Sequence, residues 1–240
     1  MIAVTRPLER SRETKEQIEG RGHKAMIVPA VSIVPLLREE IAKKVGDLSL
    51  YDWLVLSSAS GAEVMHRYFG SELKNLKIAV IGPKTASFLK DKGINVEIIP
   101  KEYKAENLAS EMINAGVDGL KILVARADIG REVLVKELQK HADVKEVTIY
   151  RTIMPCDKTP MREMLQALEN GTLTAVIFTS SQNVRNLFAS LDKERLIDGL
   201  KKTKVCAIGP ITARTLEEHG ARVDVMPQEY TVEACLEAIS

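Results

Sequence analysis

Short apolar runs alternate along the chain with longer segments in which apolar and charged residues recur at helical spacing. Runs such as Ile2–Val4, Trp53–Leu56 and Leu173–Phe178 are rich in Val, Ile and Leu, as is typical of strands buried on both faces. Segments such as Leu8–Ile18 and Ala105–Ala115 have the length and spacing of helices. This alternation predicts an α/β fold with parallel, doubly wound sheets.

The chain also contains an internal duplication. The stretch Ile78–Ala86 returns as Val205–Ala213 at an offset of 127 residues, and each copy predicts a buried strand, a Gly-Pro turn and a helix that begins near a threonine. The N-terminal strand and helix are restated from Lys121 onwards, with Arg126 in the place of Arg6. We expect a protein built twice from one unit to function where the equivalent loops of the two units face each other.

Two extended segments indicate where the chain passes between domains. One lies near Ile33 and the other near Arg151, and each ends at a proline. In the segment near Ile33, the prolines keep the chain out of a central sheet position. A single cut near residue 117 is the alternative division. The preferred division makes the middle block an inserted domain and pairs the two segments as a hinge. Its parts are a discontinuous first lobe of residues 1–33 plus 156–240, a second lobe of residues 37–149, and connecting strands at 33–37 and 149–155.

Composition narrows the class of protein. Lys and Arg total 34 against 33 for Asp and Glu, so the formal net charge of +1 creates no global field to recruit nucleic acid or an anionic membrane. The three cysteines lack metal-ligand spacing and fit a reducing compartment better than a disulfide framework. The apolar runs are too short for a membrane span, and the N-terminus lacks the layout of a signal peptide. We therefore expect a soluble, cytoplasmic protein without nucleic-acid or membrane partners.

Candidate chemistry gathers at the predicted carboxyl ends of the strands, where open α/β sheets bind their ligands. The residues there are mainly hydroxyls, glycines and arginines, whose groups bind carboxylates or phosphates through charge-assisted hydrogen bonds. Their recurrence in both halves favours an anionic ligand. The predicted binding residues are Thr5, Arg6, Ser57, Ser58, Ser60, Gly61, Gly82, Thr85, Arg126, Thr179, Ser180, Ser181, Gln182, Asn183, Gly209 and Thr212.

Each of these residues also has a purely structural interpretation. Gly82 and Gly209 would let the chain turn tightly before a helix, and the arginines would be surface residues. Four hydroxyl residues would be helix N-caps and nothing more, namely Ser58, Thr85, Ser181 and Thr212.

Other kinds of site have little support in the sequence. His23, His66, His141 and His219 are scattered without the spacing of a metal site or a catalytic dyad, and no phosphate-binding Gly-rich signature is present. Tyr150 is the titratable side chain that we single out. It either packs at a strand end or directs its phenol into an inter-domain cleft, where it could donate a proton to a departing group.

These motifs, taken in order, resemble the uroporphyrinogen-III synthase family over essentially the full length. The resemblance implies two flavodoxin-like parallel-sheet lobes joined by a two-stranded ladder, with the second lobe inserted into the first. It also implies that no metal or organic cofactor is needed. The motifs that carry it are Thr5–Pro7, Ser57–Gly61, Ile81–Ala86, Val147–Thr152, Phe178–Ser181 and Ala207–Arg214.

The resemblance further implies a reaction. Linear hydroxymethylbilane loses its terminal hydroxyl to give an azafulvene, and closure through a spiro intermediate inverts ring D. Because the substrate supplies both nucleophile and electrophile, orientation is a sufficient source of rate. Tyr150 matches the family tyrosine proposed to assist hydroxyl loss, and Thr212 matches a threonine of the cleft. The sequence departs mildly from the family at Ser57, where threonine is commoner, and at Asn183, where small residues are frequent.

The implied partner is the linear tetrapyrrole substrate, with transient handover from the upstream hydroxymethylbilane synthase. Two other functions stay open at the level of sequence. A non-catalytic bilobal module for a polyanionic small molecule would use the same loops without needing Tyr150. A phosphate-binding transferase or isomerase would want a histidine or acid in the cleft, and sequence position indicates none.

Overall fold

A computed structural model describes residues 1–130 and 132–239, and within these residues the apolar runs form parallel strands that are largely buried. The strands are β1 Ile2–Thr5, β2 Ala25–Ile27, β3 Ser32–Pro35, β4 Trp53–Leu56, β5 Lys77–Val80, β6 Lys121–Ala127, β7 Asp143–Ile153, β8 Ala175–Phe178 and β9 Lys204–Ala207.

The helices lie between the strands and pack on both faces of the sheets. They are α1 Ser11–Glu19, α2 Arg38–Val45, α3 Ala59–Phe69, α4 Pro83–Asp91, α5 Ala105–Asn114, α6 Val133–Leu138, α7 Thr159–Glu169, α8 Ser181–Ser190, α9 Lys193–Lys201, α10 Pro210–Glu218 and α11 Val232–Ile239. Across the described residues, no helix is both long and apolar enough to cross a membrane.

The chain divides into two compact units. Unit 1 comprises Met1–Ser32 and Ile153–Ser240, and unit 2 comprises Ile33–Thr152. In unit 1 the strand order is β2-β1-β8-β9, with every pair parallel. One sheet face packs in the cluster around Phe178 and the other in the cluster around Ile177, because successive side chains alternate between faces.

Unit 2 has its own sheet, in the order β3-β7-β6-β4-β5, and the pairs β7-β6, β6-β4 and β4-β5 are parallel. When β6 and β7 are taken as the first and second strands, the central order equals that of unit 1, the second-first-third-fourth order typical of flavodoxin-like sheets. After the edge strand β3, the chain forms the third and fourth strands of this order, β4 and β5, before the first and second, β6 and β7. The central strands of unit 2 are therefore a circular permutation of those of unit 1.

Comparison with the predicted elements confirms the α/β class and the parallel sheets, and it corrects several boundaries. The prediction that prolines hold the segment near Ile33 away from a central position is confirmed, because β3 is an edge strand. The strand expected at Val96–Pro100 is reduced to an isolated bridge between Ala79 and Ile98, since Pro100, two residues after Ile98, has no N–H to extend the ladder. The helix predicted over Ile41–Leu48 ends at Val45, where Gly46 adopts a φ of 76°.

Candidate functional site

Most of the predicted binding residues lie at one edge of each sheet, the carboxyl edge. Each sheet has a point at which the connections from two neighbouring strands lead in opposite directions across the sheet. This point lies between β1 and β8 in unit 1 and between β6 and β4 in unit 2. Ligands of open α/β sheets bind beyond the carboxyl ends of strands at such points. Thr5 ends β1 and Thr179 follows β8. In unit 2, Arg126 is the next-to-last residue of β6 and Ser57 follows β4.

In unit 1, Thr5, Thr179 and Asn183 bind mainly to one another. The main-chain N–H of Thr179 donates to Thr5 Oγ1 at 3.2 Å, and the Thr179 hydroxyl donates to the Thr5 carbonyl. Asn183 Nδ2 donates to the same carbonyl at 2.9 Å. Because Thr5 and Asn183 are buried, their side chains link β1, β8 and α8 by hydrogen bonds and are not exposed at the surface.

Arg6 has unused hydrogen-bonding capacity on a charged donor, whereas in Asn183 the buried atom without a partner among the described residues is the side-chain oxygen, an acceptor. Among the described residues, the Nε atom of Arg6 is buried and has no hydrogen-bond partner. Burial lowers the pKa of Arg6, the nearby positive charge of Arg10 lowers it further, and Glu13 acts in the opposite direction. A buried donor without a partner costs about 1–3 kcal/mol. An anion bound beside Arg6 would remove that cost.

Helix α8 begins one residue earlier than a cap at Ser181 would require. Ser180 is the N-cap, and its hydroxyl accepts a hydrogen bond from the N–H of Asn183 at 3.2 Å. The N-cap interpretation of Ser181 is therefore wrong, since Ser181 is the first helical residue and its Oγ accepts from Arg185 at 3.4 Å. Gln182 donates to the side-chain oxygen of Asn186 at 2.8 Å and so supports the first turn of the helix.

In unit 2, Ser58 is an N-cap as expected. It is extended, with φ −153° and ψ 152°, and its Oγ accepts a hydrogen bond from the N–H of Gly61 at 3.0 Å. A Cβ atom on Gly61 would lie 3.2 Å from that same Oγ, so the absence of a side chain keeps this corner compact. Ser60 and Gly61 are buried within the first turn of α3, whereas Ser57 is half-buried.

The phenol oxygen of Tyr150 lies 2.9 Å from Ser58 Oγ. This contact depends on a register shift, because Arg126 pairs with Thr148 whereas Ala127 pairs with Tyr150. Strict alternation would put Tyr150 on the opposite sheet face from Ile149, yet both pack in the same cluster. An irregularity of this kind re-aims a side chain. Tyr150 is 7% exposed, so it is packed at the strand end and also meets the start of α3.

The two Gly-Pro turns do not need glycine for their backbone conformation. Gly82 has φ −136° and Gly209 has φ −172°, which is extended backbone that any residue adopts, so the tight-turn interpretation is wrong. Gly209 instead accommodates the ring of Tyr230, which would lie 3.3 Å from an added Cβ. An added Cβ on Gly82 would meet no atom within 4 Å.

Thr85 and Thr212 are not N-caps. Each is the third residue of a helix that begins with proline and is preceded by a glycine without a capping side chain. Both threonines are 4% exposed. The first turns of α4 and α10 therefore have no side-chain cap, and uncapped helix N-termini are suited to anionic groups.

The two predicted arginines have different surroundings. Arg126 forms an ion pair with Glu146 of the neighbouring strand, and its side chain is 13% exposed. Part of its charge is thus neutralised inside unit 2. The duplication predicts equivalence with Arg6, but the structure does not support it.

Tyr230 is a candidate ligand-contacting residue that no single motif of the sequence indicates. It is 62% exposed and lies against the Gly209 turn. Its match with Tyr103 at the repeat offset was the available signal, since Tyr103 is also exposed, at 60%. Exposed aromatic rings beside polar loops are suited to flat ligands.

His141 and His219 have local partners away from these loops. His141 Nδ1 lies 2.8 Å from Asp118, and the ring of His219 packs on Phe188 at 4.7 Å between centroids. Within the part of the chain that the structure describes, no group of His, Cys, Asp or Glu residues could hold a metal ion. Cys206 and Cys235 are buried, and Cys156 is exposed.

The protein is thus a duplicated α/β protein that is suited to an anionic small molecule. The features that suit it are the uncapped helix N-termini, the hydroxyls and the partly buried arginine at the strand ends of its two units. The model of the family described as uroporphyrinogen-III synthase HemD matches residues 12–237. The chain therefore belongs to the uroporphyrinogen-III synthase family, and the resemblance carried by its motifs is confirmed.

Relatives and solved structures agree with this membership. A protein from Methanothermobacter thermautotrophicus is 36% identical and covers 100% of this chain and 97% of its own. The uroporphyrinogen-III synthase of Synechococcus elongatus is 33% identical over 99% of this chain and 93% of its own. The fold is similar to the crystal structure of the Helicobacter pylori uroporphyrinogen-III synthetase, with a TM-score of 0.68, 16% identity, and coverage of 98% of this chain and 96% of that one.

Proposed function

We propose that this protein is a cyclising lyase that converts hydroxymethylbilane into uroporphyrinogen III, with loss of water and inversion of ring D. The observation that carries this proposal is the family match over residues 12–237. The relative in Synechococcus elongatus, itself a uroporphyrinogen-III synthase, matches nearly the whole chain and supports the enzyme over a non-catalytic binding module.

The substrate carboxylates bind at the strand ends described above. Arg6 supplies a charged donor that lacks a partner at Nε among the described residues, and the N-termini of α4 and α10 supply the positive ends of their helix dipoles. Hydrogen bonds from several fixed donors hold a flexible chain in one folded arrangement. Such orientation accelerates ring closure because the reacting carbon atoms belong to the same molecule.

Tyr150 assists the loss of the terminal hydroxyl in this proposal. Its phenol is largely buried and is held by Ser58, so its direction is defined before substrate binds. A hydrogen bond from the phenol to the departing oxygen would stabilise the charge that develops there as the C–O bond breaks.

The proposal includes the organisation of the chain. The strands β3 and β7 are neighbours, and the N–H of Leu36 donates to the carbonyl of Ile149 at 3.0 Å. These contacts support a connecting ladder where the chain passes into and out of the inserted unit. We place the enzyme in the cytoplasm, where it would receive its unstable substrate from the upstream synthase.

A coupled assay tests the function. Hydroxymethylbilane is supplied with the purified protein, the products are oxidised, and the I and III isomers are separated. The expected result is predominantly isomer III, with heat-inactivated protein giving isomer I from spontaneous closure. If active protein yields isomer I alone, at the rate of the blank, the proposed function is wrong. Binding of substrate without any isomer III would support the binding module instead.

A further inference from the structure

We propose that Ser58 is a positioning residue for catalysis: it fixes the Tyr150 phenol and hydrogen-bonds to the phenolate when the proton leaves. This inference rests on the proposed function, because it concerns how Tyr150 assists loss of the substrate hydroxyl. The membership of the family does not by itself assign Ser58 this role.

The hydrogen bonds of Ser58 determine what its hydroxyl can do. A serine hydroxyl has one donor and two acceptor positions. The N–H of Gly61 occupies one acceptor position at 3.0 Å, and Tyr150 Oη lies 2.9 Å away. When the Tyr150 hydrogen is directed to substrate, Ser58 can turn its own hydrogen toward the phenol oxygen. The serine therefore suits the neutral phenol and the phenolate equally, without any movement of heavy atoms.

The surroundings of the pair strengthen this interaction. Tyr150 is 7% exposed, and hydrogen bonds are stronger in such an environment than in water. Ser58 stands at the N-terminus of α3, an eleven-residue helix whose dipole favours negative charge at that end. Both effects stabilise a phenolate at Tyr150, which is the species formed when the phenol gives up its proton.

The main chain around Tyr150 directs its side chain towards Ser58. The shift between Arg126 and Ala127 turns Tyr150 to the face where α3 begins. The N–H of Asp128 donates to the carbonyl of Tyr150 at 3.1 Å, and Asp128 Oδ1 accepts from the N–H of Thr152 at 3.1 Å. These bonds fix the main chain from the carbonyl of Tyr150 to the N–H of Thr152, and Ser58 fixes the direction of the Tyr150 hydroxyl.

The phenol proton passes to the substrate hydroxyl, and the C–O bond breaks with its electron pair leaving on oxygen as water. The pyrrole nitrogen supplies the electron pair that forms the azafulvenium cation, and Tyr150 is left as phenolate. The phenolate then takes up the azafulvenium N–H proton, which restores the phenol and leaves the neutral azafulvene. Ser58 keeps its proton throughout.

The test is a double-mutant cycle of Ser58→Gly and Tyr150→Phe in the full chain. Glycine is tolerated at an N-cap, so Ser58→Gly removes the hydroxyl at little cost to α3. We expect kcat to fall roughly tenfold, with KM changed by less than about twofold, because removing one oriented donor acts mainly on the transition state. In the Tyr150→Phe background the same change should lower kcat no further, and Ser58→Thr should recover most of the activity.

The control is Asp192→Ala, which removes the N-cap of α9, where Asp192 accepts from the N–H of Arg195 at 2.9 Å. It should lower the unfolding temperature at least as much as Ser58→Gly while leaving kcat at the level of the unmodified protein. Wild-type kcat in Ser58→Gly, or an equal loss in both tyrosine backgrounds, would overturn the proposal. Full activity of Tyr150→Phe would also contradict the proposed role of Ser58. If that variant still forms isomer III, the proposed function of the protein is unaffected.

Discussion

At the level of single residues, the two arginines that the duplication equates have different environments. Arg126 has Glu146 beside it, whereas Arg6 is desolvated and its Nε has no partner in the described residues. The sequence could not distinguish them, because Glu146 lies 20 residues from Arg126 and reaches it only through the pairing of β6 with β7.

Arg6→Gln should therefore weaken substrate binding. A charge-assisted hydrogen bond contributes about 1.5–3 kcal/mol, which corresponds to a rise in KM of about tenfold or more. We expect kcat to change much less, because a carboxylate distant from the reacting carbon is bound equally in ground and transition states. Steady-state kinetics with hydroxymethylbilane measures both parameters.

Arg12→Gln is the matched control for Arg6→Gln. Arg12 lies in the same segment, pairs with Glu16 at 3.0 Å, and is 93% exposed, so its removal should leave KM unchanged. Equal KM values in Arg6→Gln, Arg12→Gln and the unmodified protein would show that the Arg6 guanidinium does not bind substrate.

At the level of elements, the apolar runs predicted the central strands well, but they did not predict how helices begin or how closely they pack. The caps predicted at Thr85 and Thr212 were wrong because each helix already begins at the proline two residues earlier. The cap predicted at Ser181 was wrong because the neighbouring hydroxyl of Ser180 takes that role, and local sequence does not choose between them. Gly199 illustrates close packing. It lies inside α9, and an added Cβ would lie 2.7 Å from Leu168 Cβ on α7.

Gly199→Ala should destabilise unit 1. Helix propensity favours alanine by about 1 kcal/mol, but overpacking against another helix costs about 1–3 kcal/mol, and the contact here is with a Cβ that cannot rotate away. We expect a net loss in the free energy of unfolding, measured by urea denaturation followed by circular dichroism.

A second variant separates crowding from other causes. Leu168→Ala alone should cost about 2–5 kcal/mol, because Leu168 is fully buried and its truncation leaves a cavity. Leu168→Ala keeps the Cβ atom but removes Cδ1 and Cγ, which would lie 3.4 and 3.5 Å from the added atom, so the two changes together should cost less than the sum of their separate effects. If the Gly199→Ala variant is more stable than the unmodified protein, the close contact between position 199 and Leu168 is contradicted.

At the level of the whole molecule, the two units have the same strand order but different chain paths. Unit 2 is one continuous segment with a five-stranded sheet and apolar clusters on both faces. Unit 1 is assembled from two segments, and its first strand, β1, lies between β2 and β8.

A fragment of residues 33–152 should therefore fold by itself, whereas a fragment of residues 153–240 should not. The second fragment lacks β1 and β2, so β8 would lose a neighbour and become an unprotected edge. Cooperative thermal unfolding and dispersed amide signals in NMR spectra would identify the folded fragment. A disordered fragment 33–152 would contradict the proposed division of the chain.

The sequence by itself determined the α/β class, the duplication, the family and the strand ends at which the predicted binding residues lie. These features are encoded locally, in the apolar runs and in the order of motifs along the chain. The tertiary structure alone decided that Thr5 and Asn183 are buried in a network, that Arg126 is paired, and that Tyr150 meets Ser58. Each of these outcomes depends on register and contact between residues far apart in sequence, and a shift of one position moves a side chain to the other face of a sheet.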